Sequence, residues 1–544
     1  MKIPNTNLSS FLKEIVQDCG VSRETRITRG QWAMNYFYSG AETAQGSLYN
    51  RTGVHVSRLA SYLYSPGSVR YSIEFDYMMG DAWLARAAIA ERFLSREYQR
   101  RSVDMEFAKA VKTSVIKGCG FVKHLWGHNG VSAFHIEPES MGVLREDIPD
   151  LDEQEAFTHS LFLTPGQFSR MITDHPDREK IMKKVQNSFS EAEQGNQSSF
   201  FHQMIIGGNN PVATGQTGQQ SSVSWFGSPQ AMLSSQTVQQ MIRLDEIWIQ
   251  DDEREDYTTF QIIDDIVIEG KYRRRNLFGI KGEHPFILIN SNPISGYIWG
   301  RSEIAQLAPL QDMLTQRVGD VKRILDIQVK PPKAFIGFSG MTQEKYNNIM
   351  KKGGFISESA MGAKIEDLGP KLPDAAFSEI REIVGLFDEM GGFKPILQGE
   401  GEAGVRAGVH AQTLLKTASP VIRERSLLIE RSAEASGDLV FKLLQAHEPD
   451  LFTSETGEEF LLSQMPDDYR VTIDSHSASP AFTDDEKQLA FSLAQLGAIG
   501  PEDLIEMTRP PRQDTLIAKA REKAAAQQKF MQEHPELLMK KGKK

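Results

Sequence analysis

The chain lacks most of what a catalyst, a metalloprotein or a membrane protein would need. Two cysteines in 544 residues, Cys19 and Cys119, cannot build a disulfide framework or a four-ligand zinc site. No apolar run approaches 18 residues, so no transmembrane helix is expected. The opening Met1-Lys-Ile-Pro-Asn-Thr6 carries no apolar signal-peptide core, and cytosolic, reducing assembly is the expectation. There is no G-x-x-x-x-G-K-[ST] loop, which argues against an ATP-hydrolysing motor. His124 and His128 are four apart, but His128 falls in a hairpin turn, where helical convergence of two metal ligands is lost. Asp251-Asp-Glu-Arg-Glu-Asp256 lacks the glycine and spacing of a calcium loop and reads as a solvated turn. Ser475 and His476 adjoin along a strand, which points them to opposite faces. No catalytic residue, cofactor or metal ligand is expected.

One motif is a decoy. Gly399-Glu-Gly401-Glu-Ala-Gly404 fits the letter of the dinucleotide pattern G-x-G-x-x-G. That chemistry needs a preceding strand and open amides at a helix start. Here a helix precedes it, and Glu400 and Glu402 stand where phosphate would sit. The segment reads as a loop joining two helices.

What is present is ordinary in amount and informative in order. At this length three or four structural units are expected. The net charge of -11 argues against a protein that grips nucleic acid over its whole surface. It is equally compatible with a weakly adhesive conduit, so charge does not decide.

Residues 1 to about 110 read mostly helical. Phe121 to Trp126 and Val131 to Ile136 form a hairpin with Asn129-Gly130 as its turn signal. Thr164-Pro165 opens a helix, with Thr164 as cap and Pro165 at its first position. Residues 190–240, rich in Ser, Gln, Gly and Asn, read as a mobile insertion. Strands at 244–249, 258–263 and 266–269 make an antiparallel sheet, and the chain belongs to the α+β class.

The most informative stretch runs from Tyr297 to Pro332. Ser302 is placed to cap a helix carrying Ile304, Leu307, Leu310, Leu314, Val318, Val321, Leu325 and Val329 every three or four residues. Pro309 could kink it, and Pro331-Pro332 stops it. A small unit follows: a strand over 334–337, a helix over 342–350, and strand candidates at 355–356 and 363–368. Seven lysines against four carboxylates leave +3 over 330–372. A second helix runs to Met390, with Phe377, Ile380, Ile383, Val384 and Phe387 on one face, and ends at Gly391-Gly392. A third, His410 to about Gln445, is interrupted by Pro420. Thr483 and Glu486 make a capping box for a C-terminal helix, and residues 519–544 carry +5.

Trp299-Gly300-x-Ser302, Leu310-Gln311 and Pro331-Pro332-Lys333 resemble the start of the stem in portal proteins of tailed double-stranded DNA phages. Trp32, Tyr36 to Gly40, Asn50-Arg51, the helix from Asp81, and Gly118-Cys119-Gly120 agree with that likeness, which covers about residues 30 to 475. The resemblance implies a portal fold: a wing over 1–300, stem helices at 301–329 and 373–391 flanking a clip at 330–372, a tunnel loop at 392–408, a long helix and strand over 409–475, and a crown with a basic tail over 476–544. It implies a ring, commonly of twelve subunits, at one capsid vertex of the virion, assembled in the host cytoplasm. It further implies sequence-independent passage of double-stranded DNA. The large terminase subunit, a tail adaptor or head-completion protein, and the major capsid or scaffolding protein are the partners it implies. Candidate DNA-facing groups are Lys394, Gln398, Glu400, Glu402 and Arg406 in the loop. Arg317, Lys322, Arg323, Lys330 and Lys333 are the candidates in stem and clip.

Two alternatives stand beside this. One is a virion or scaffold assembly protein without a channel, favoured if the helices of 301–329 and 373–390 pack within one subunit. The other is an enzyme built on the carboxylate-rich turns at Asp251 and Asp252.

Overall fold

The computed structural model describes residues 1–505, apart from 206–237, 391–419, 474–490 and shorter stretches at 5, 43–46, 48, 68, 76–80, 174, 194–200, 264–265, 271–272, 330, 339, 354–361, 363, 371, 374, 448–450, 454–456, 458, 467, 496–499 and 502–503. In chain order the elements are α1 Leu8–Cys19, α2 Arg23–Ser39, α3 Arg51–Leu63, β1 Tyr71–Phe75, α4 Asp81–Arg100, α5 Val103–Lys117, β2 Gly120–Gly127, β3 Gly130–Ile136, β4 Met141–Val143 and β5 Ala156–Leu163. There follow α6 Pro165–Met171, α7 Arg178–Glu193, β6 Phe201–Ile205, β7 Val238–Asp251, β8 Asp256–Ile263, β9 Ile266–Glu269 and β10 Phe286–Ile289. The remainder are α8 Glu303–Val329, β11 Lys333–Ile336, α9 Gln343–Lys351, β12 Lys364–Asp367, α10 Ala375–Met390, α11 Pro420–His447, β13 Leu451–Thr453, β14 Glu459–Leu461 and β15 Tyr469–Ile473.

This is an α+β chain in which every strand pairing among the described residues is antiparallel. The largest sheet runs in the order β4-β5-β7-β8-β9, with β6 also on β7. Its central strand β7 is covered on both sides. Ile247 and Ile249 pack with Leu12 and Ile15 of α1, while Ile242 and Leu244 pack with Phe168 of α6 and Ile181 of α7. The alternation of strand side chains assigns these two pairs to opposite faces. A second sheet, β10-β2-β3, lies in the principal core with α2 to α5 and α11.

Local sequence accounts for much of this. Thr164 accepts from the Gln167 amide while the Gln167 side chain returns to the Thr164 amide, a complete capping box. The β2–β3 hairpin closes with Gly127 opposite Gly130. The expected Asn129-Gly130 signal works differently from its usual form, because Gly130 takes φ +98° while Asn129 keeps a negative φ.

Four further expectations change. The reading of residues 1–110 as helical missed β1, whose partner β15 lies at the far end of the chain. Ser302 does not cap α8; its hydroxyl donates to the Ile116 carbonyl at the end of α5. Phe377 does not share the buried face of α10 but is half exposed. The insertion expected over 190–240 begins with the end of α7 and includes β6, paired to β7 from Phe201↔Ile242 to Ile205↔Val238. Val238 to Gln240 open β7, and the rest of it lies outside the described residues. So do the strand candidate at 355–356, the upstream part of the third helix and the C-terminal capping box. The described part of the third helix, α11, runs from Pro420 to His447.

Candidate functional site: the helical projection and its root

Several of the residues that carried the resemblance, among them Gly118, Trp299, Gly300, Arg51 and Gln311, come together at one place, the root of α8, while Pro331-Pro332-Lys333 stands at its far end. Gly118, at φ +103°, and Gly300 cross backbone to backbone; a Cβ on either would overlap the other's carbonyl oxygen. Glycine is required here for close approach as well as for torsion. Trp299 donates to Glu146 at 2.7 Å and Tyr297 to the same carboxylate at 3.0 Å. The Arg26 guanidinium lies 3.9 Å over the Trp299 ring. Burial alone would raise the Glu146 carboxyl, but hydrogen bonds from Ser22, Trp299 and Tyr297 hold it below its usual range.

From this root, α8 makes a run of polar contacts to α3 and its surroundings. Glu303, buried at its first turn, accepts from Arg425 of α11 at 2.9 Å and faces His55 of α3 at 3.7 Å. Burial would raise the Glu303 carboxyl; His55 and Arg425 outweigh it and hold it low. Gln311 Oε1 accepts from the Arg51 and Thr52 amides at 3.0 and 3.1 Å. Tyr36 donates to Asp312 at 3.0 Å, and burial together with that carboxylate pushes its phenol up to about 12. On α10, Asp388 accepts from Arg51 at 2.8 Å.

Beyond the root, α8 and α10 pack along an apolar seam of Leu307, Leu314, Ile383 and Phe387, with Leu310, Val318, Ile380 and Val384 at its margins. Helix α8 runs through Pro309 as one element. At the far end stands a small unit: the two-stranded sheet β11–β12, with α9 capped by Thr342 on the Lys345 amide. Phe335 packs against Tyr346 with the rings tilted at 5.5 Å between centroids, and the Lys333 ammonium lies over the Tyr346 ring at 5.2 Å.

The basic candidates do not converge on one patch. Arg317 pairs across the seam with Glu379 at 2.7 Å and also faces Asp320, as does Arg323 at 3.7 Å. Lys333 pairs with Asp367 at 2.5 Å. Lys322 is exposed and makes no ion pair among the described residues. Lys330, Lys394, Gln398, Glu400, Glu402 and Arg406 lie outside the described residues, as do the G-x-G-x-x-G segment, Ser475 and His476.

His124 is fully buried against Ser436 at 3.0 Å, and desolvation pushes it down to about 3. The turn at 251–256 is organised by buried Asp251, which accepts from Thr258 and the Glu253 amide, while Asp252 holds the Met1 ammonium. Among the described residues no group of three potential metal ligands occurs. No described helix is long and apolar enough to cross a membrane.

The reading of the sequence missed Glu303, Arg425, His55 and Asp388. Glu303 looks like an ordinary first-turn carboxylate, and nothing near Arg425 or Asp388 in the sequence points to α3. No model of a known protein family matches this chain, and no curated protein matches it.

Proposed function

We propose that this chain is a portal subunit: a ring-forming conduit for double-stranded DNA at a capsid vertex. One observation carries the reading. Helices α8 and α10 with the β11–α9–β12 unit form a projection whose outer part has the apolar period of a packed helix and, among the described residues, no cover from the chain itself. Leu325 is 43% and Val329 78% exposed, and Ile336, Leu368 and Phe377 of the same projection are exposed as well. Exposed apolar side chains at helix-packing spacing mark association, and head-to-tail association whose rotation closes around an axis makes a ring. A ring of such projections encloses a channel. DNA and a many-fold ring do not share symmetry, so wall contacts are to phosphates and independent of sequence. The paired state of Arg317, Arg323 and Lys333 suits a wall that lets a duplex slide. The terminase and tail adaptor dock on the projection's tip, and the capsid or scaffold on the wing.

The second reading has an observation of its own. The α8–α10 seam closes within one chain, which favours an assembly protein without a channel. The exposed outer half of α8 places the portal reading ahead, because the seam leaves that half uncovered. Negative-stain imaging of the purified chain separates them. Rings with a central hole wide enough for a duplex support the portal. Solid, closed oligomers would replace it with the channel-free role.

A further inference from the structure

The seam between α8 and α10 is apolar, whereas the contacts that fix this pair to the rest of the chain combine Ile304 and Ala308, packed in the principal core, with a run of buried polar bonds. We propose that the aim of the projection is set by a polar key, Gln311, seated in a socket at the start of α3. The proposal concerns the single chain and does not rest on the portal reading.

Gln311 is fully buried. Its Oε1 accepts from the Arg51 amide at 3.0 Å, the Thr52 amide at 3.1 Å and the Thr52 hydroxyl at 3.2 Å. Its Nε2 donates to the Tyr49 carbonyl at 2.9 Å, to Thr315 Oγ1 at 3.1 Å and to Ser47 Oγ at 3.2 Å. A primary amide has two N–H donors and two lone pairs, so all of its capacity is used. The two amides it takes are among the free donors that open any helix. Gln311 therefore caps α3 from another element, while Asn50 caps Gly53 from within.

Such a key fits one rotation and one axial position. Moving α8 by a single residue turns it about 100° and shifts it about 1.5 Å. Either motion strands a buried amide together with two helix amides. Apolar contacts are non-directional and do not discriminate in this way. A second key acts beside the first: Arg51 Nη2 donates to both Asp388 oxygens, at 2.8 and 3.0 Å, clamping the last turn of α10 to the same end of α3. Directional bonds at the socket and an apolar seam above it make the projection a rigid pair on a keyed base.

Spin-label distance measurement tests this on the full chain, with labelled copies diluted into unlabelled ones. Labels at Val329→Cys and Phe134→Cys span projection and core; labels at Val329→Cys and Met390→Cys lie within the projection. Both pairs should give narrow distributions. Gln311→Leu should broaden the first and leave the second narrow, and should speed hydrogen exchange of the Arg51 and Thr52 amides by about tenfold, the loss of one net hydrogen bond each. Gln311→Glu keeps the acceptor oxygens and loses the donors, and should broaden the first pair less. An unchanged first pair in Gln311→Leu, or equal broadening of both pairs, overturns the proposal. Should Gln311→Leu fail to fold, Asp388→Asn is read by the same two outcomes.

Discussion

Helix α8 is two helices in one. Its inner half, to Leu314, holds Glu303, Ile304, Leu307, Ala308, Gln311 and Leu314 buried; its outer half holds no buried residue. Yet the apolar period runs through both, with Val318, Val321, Leu325 and Val329 continuing the series. Periodicity records where a helix is designed to be covered, and it does not say by whom. In the inner half the cover is α10 and the core of the same chain. In the outer half we assign it to neighbouring copies. Polar groups follow the same division: the root buries Glu303 and Gln311, while the charges farther out stay half exposed.

That contrast can be broken at several levels. Phe387→Ala at the seam is expected to cost about 3–5 kcal/mol, read by urea unfolding, because a fully buried ring leaves a cavity. In the core, Lys123 donates to both oxygens of Glu246 at 2.9 and 2.8 Å. Lys123→Met should cost about 3–5 kcal/mol by stranding that carboxylate, and Glu246→Gln added to it should recover part of the loss. Buried His124 supplies a pH test. Its value is lowered from 6.5 in the exposed state to about 3 when folded. The unfolded chain thus binds the extra proton between those values. Its contribution is complete above 6.5 and is lost as pH falls toward 3, at up to about 1.4 kcal/mol per pH unit. Unfolding at pH 7 and pH 5 should show this drop, and His124→Gln should reduce it. Farther out, Arg317→Gln should cost under about 1 kcal/mol, as both partners are half exposed. Smallest of all, Leu325→Ala should change unfolding of the dissociated chain by no more than about 0.5 kcal/mol. A cost like that of Phe387→Ala would mean the outer half is covered within its own chain.

Much of the fold was legible because its signals are local. The α8 period, the Thr164-Pro165 start, strands β7, β8 and β9 of the large sheet and the β2–β3 hairpin each sit within a window of about fifteen residues, whereas β4, β5 and β6 of that sheet went unread. Strand β1 was not legible, since Tyr71 pairs with Ile473 some 400 residues on. Ser302 misled for a related reason: the Ile116 carbonyl competed for its hydroxyl, and α5 lies far off in sequence. The Lys123–Glu246 pair was not legible either, because the two residues lie 123 positions apart on different strands. At the candidate site, the motif residues Gly118, Gly300, Arg51 and Gln311 were visible individually. Their meeting at one root was not, because sequence carries no record of which distant helix end needs a cap.

The most direct test is mass photometry of the purified chain beside a Leu325→Asp, Val329→Asp variant, with circular dichroism to establish that both are folded. The account expects the wild type as a ring near twelve times the 61.0 kDa chain, and the variant as folded monomers. A variant that assembles as the wild type does would show that the outer half of α8 is not the surface by which these chains meet.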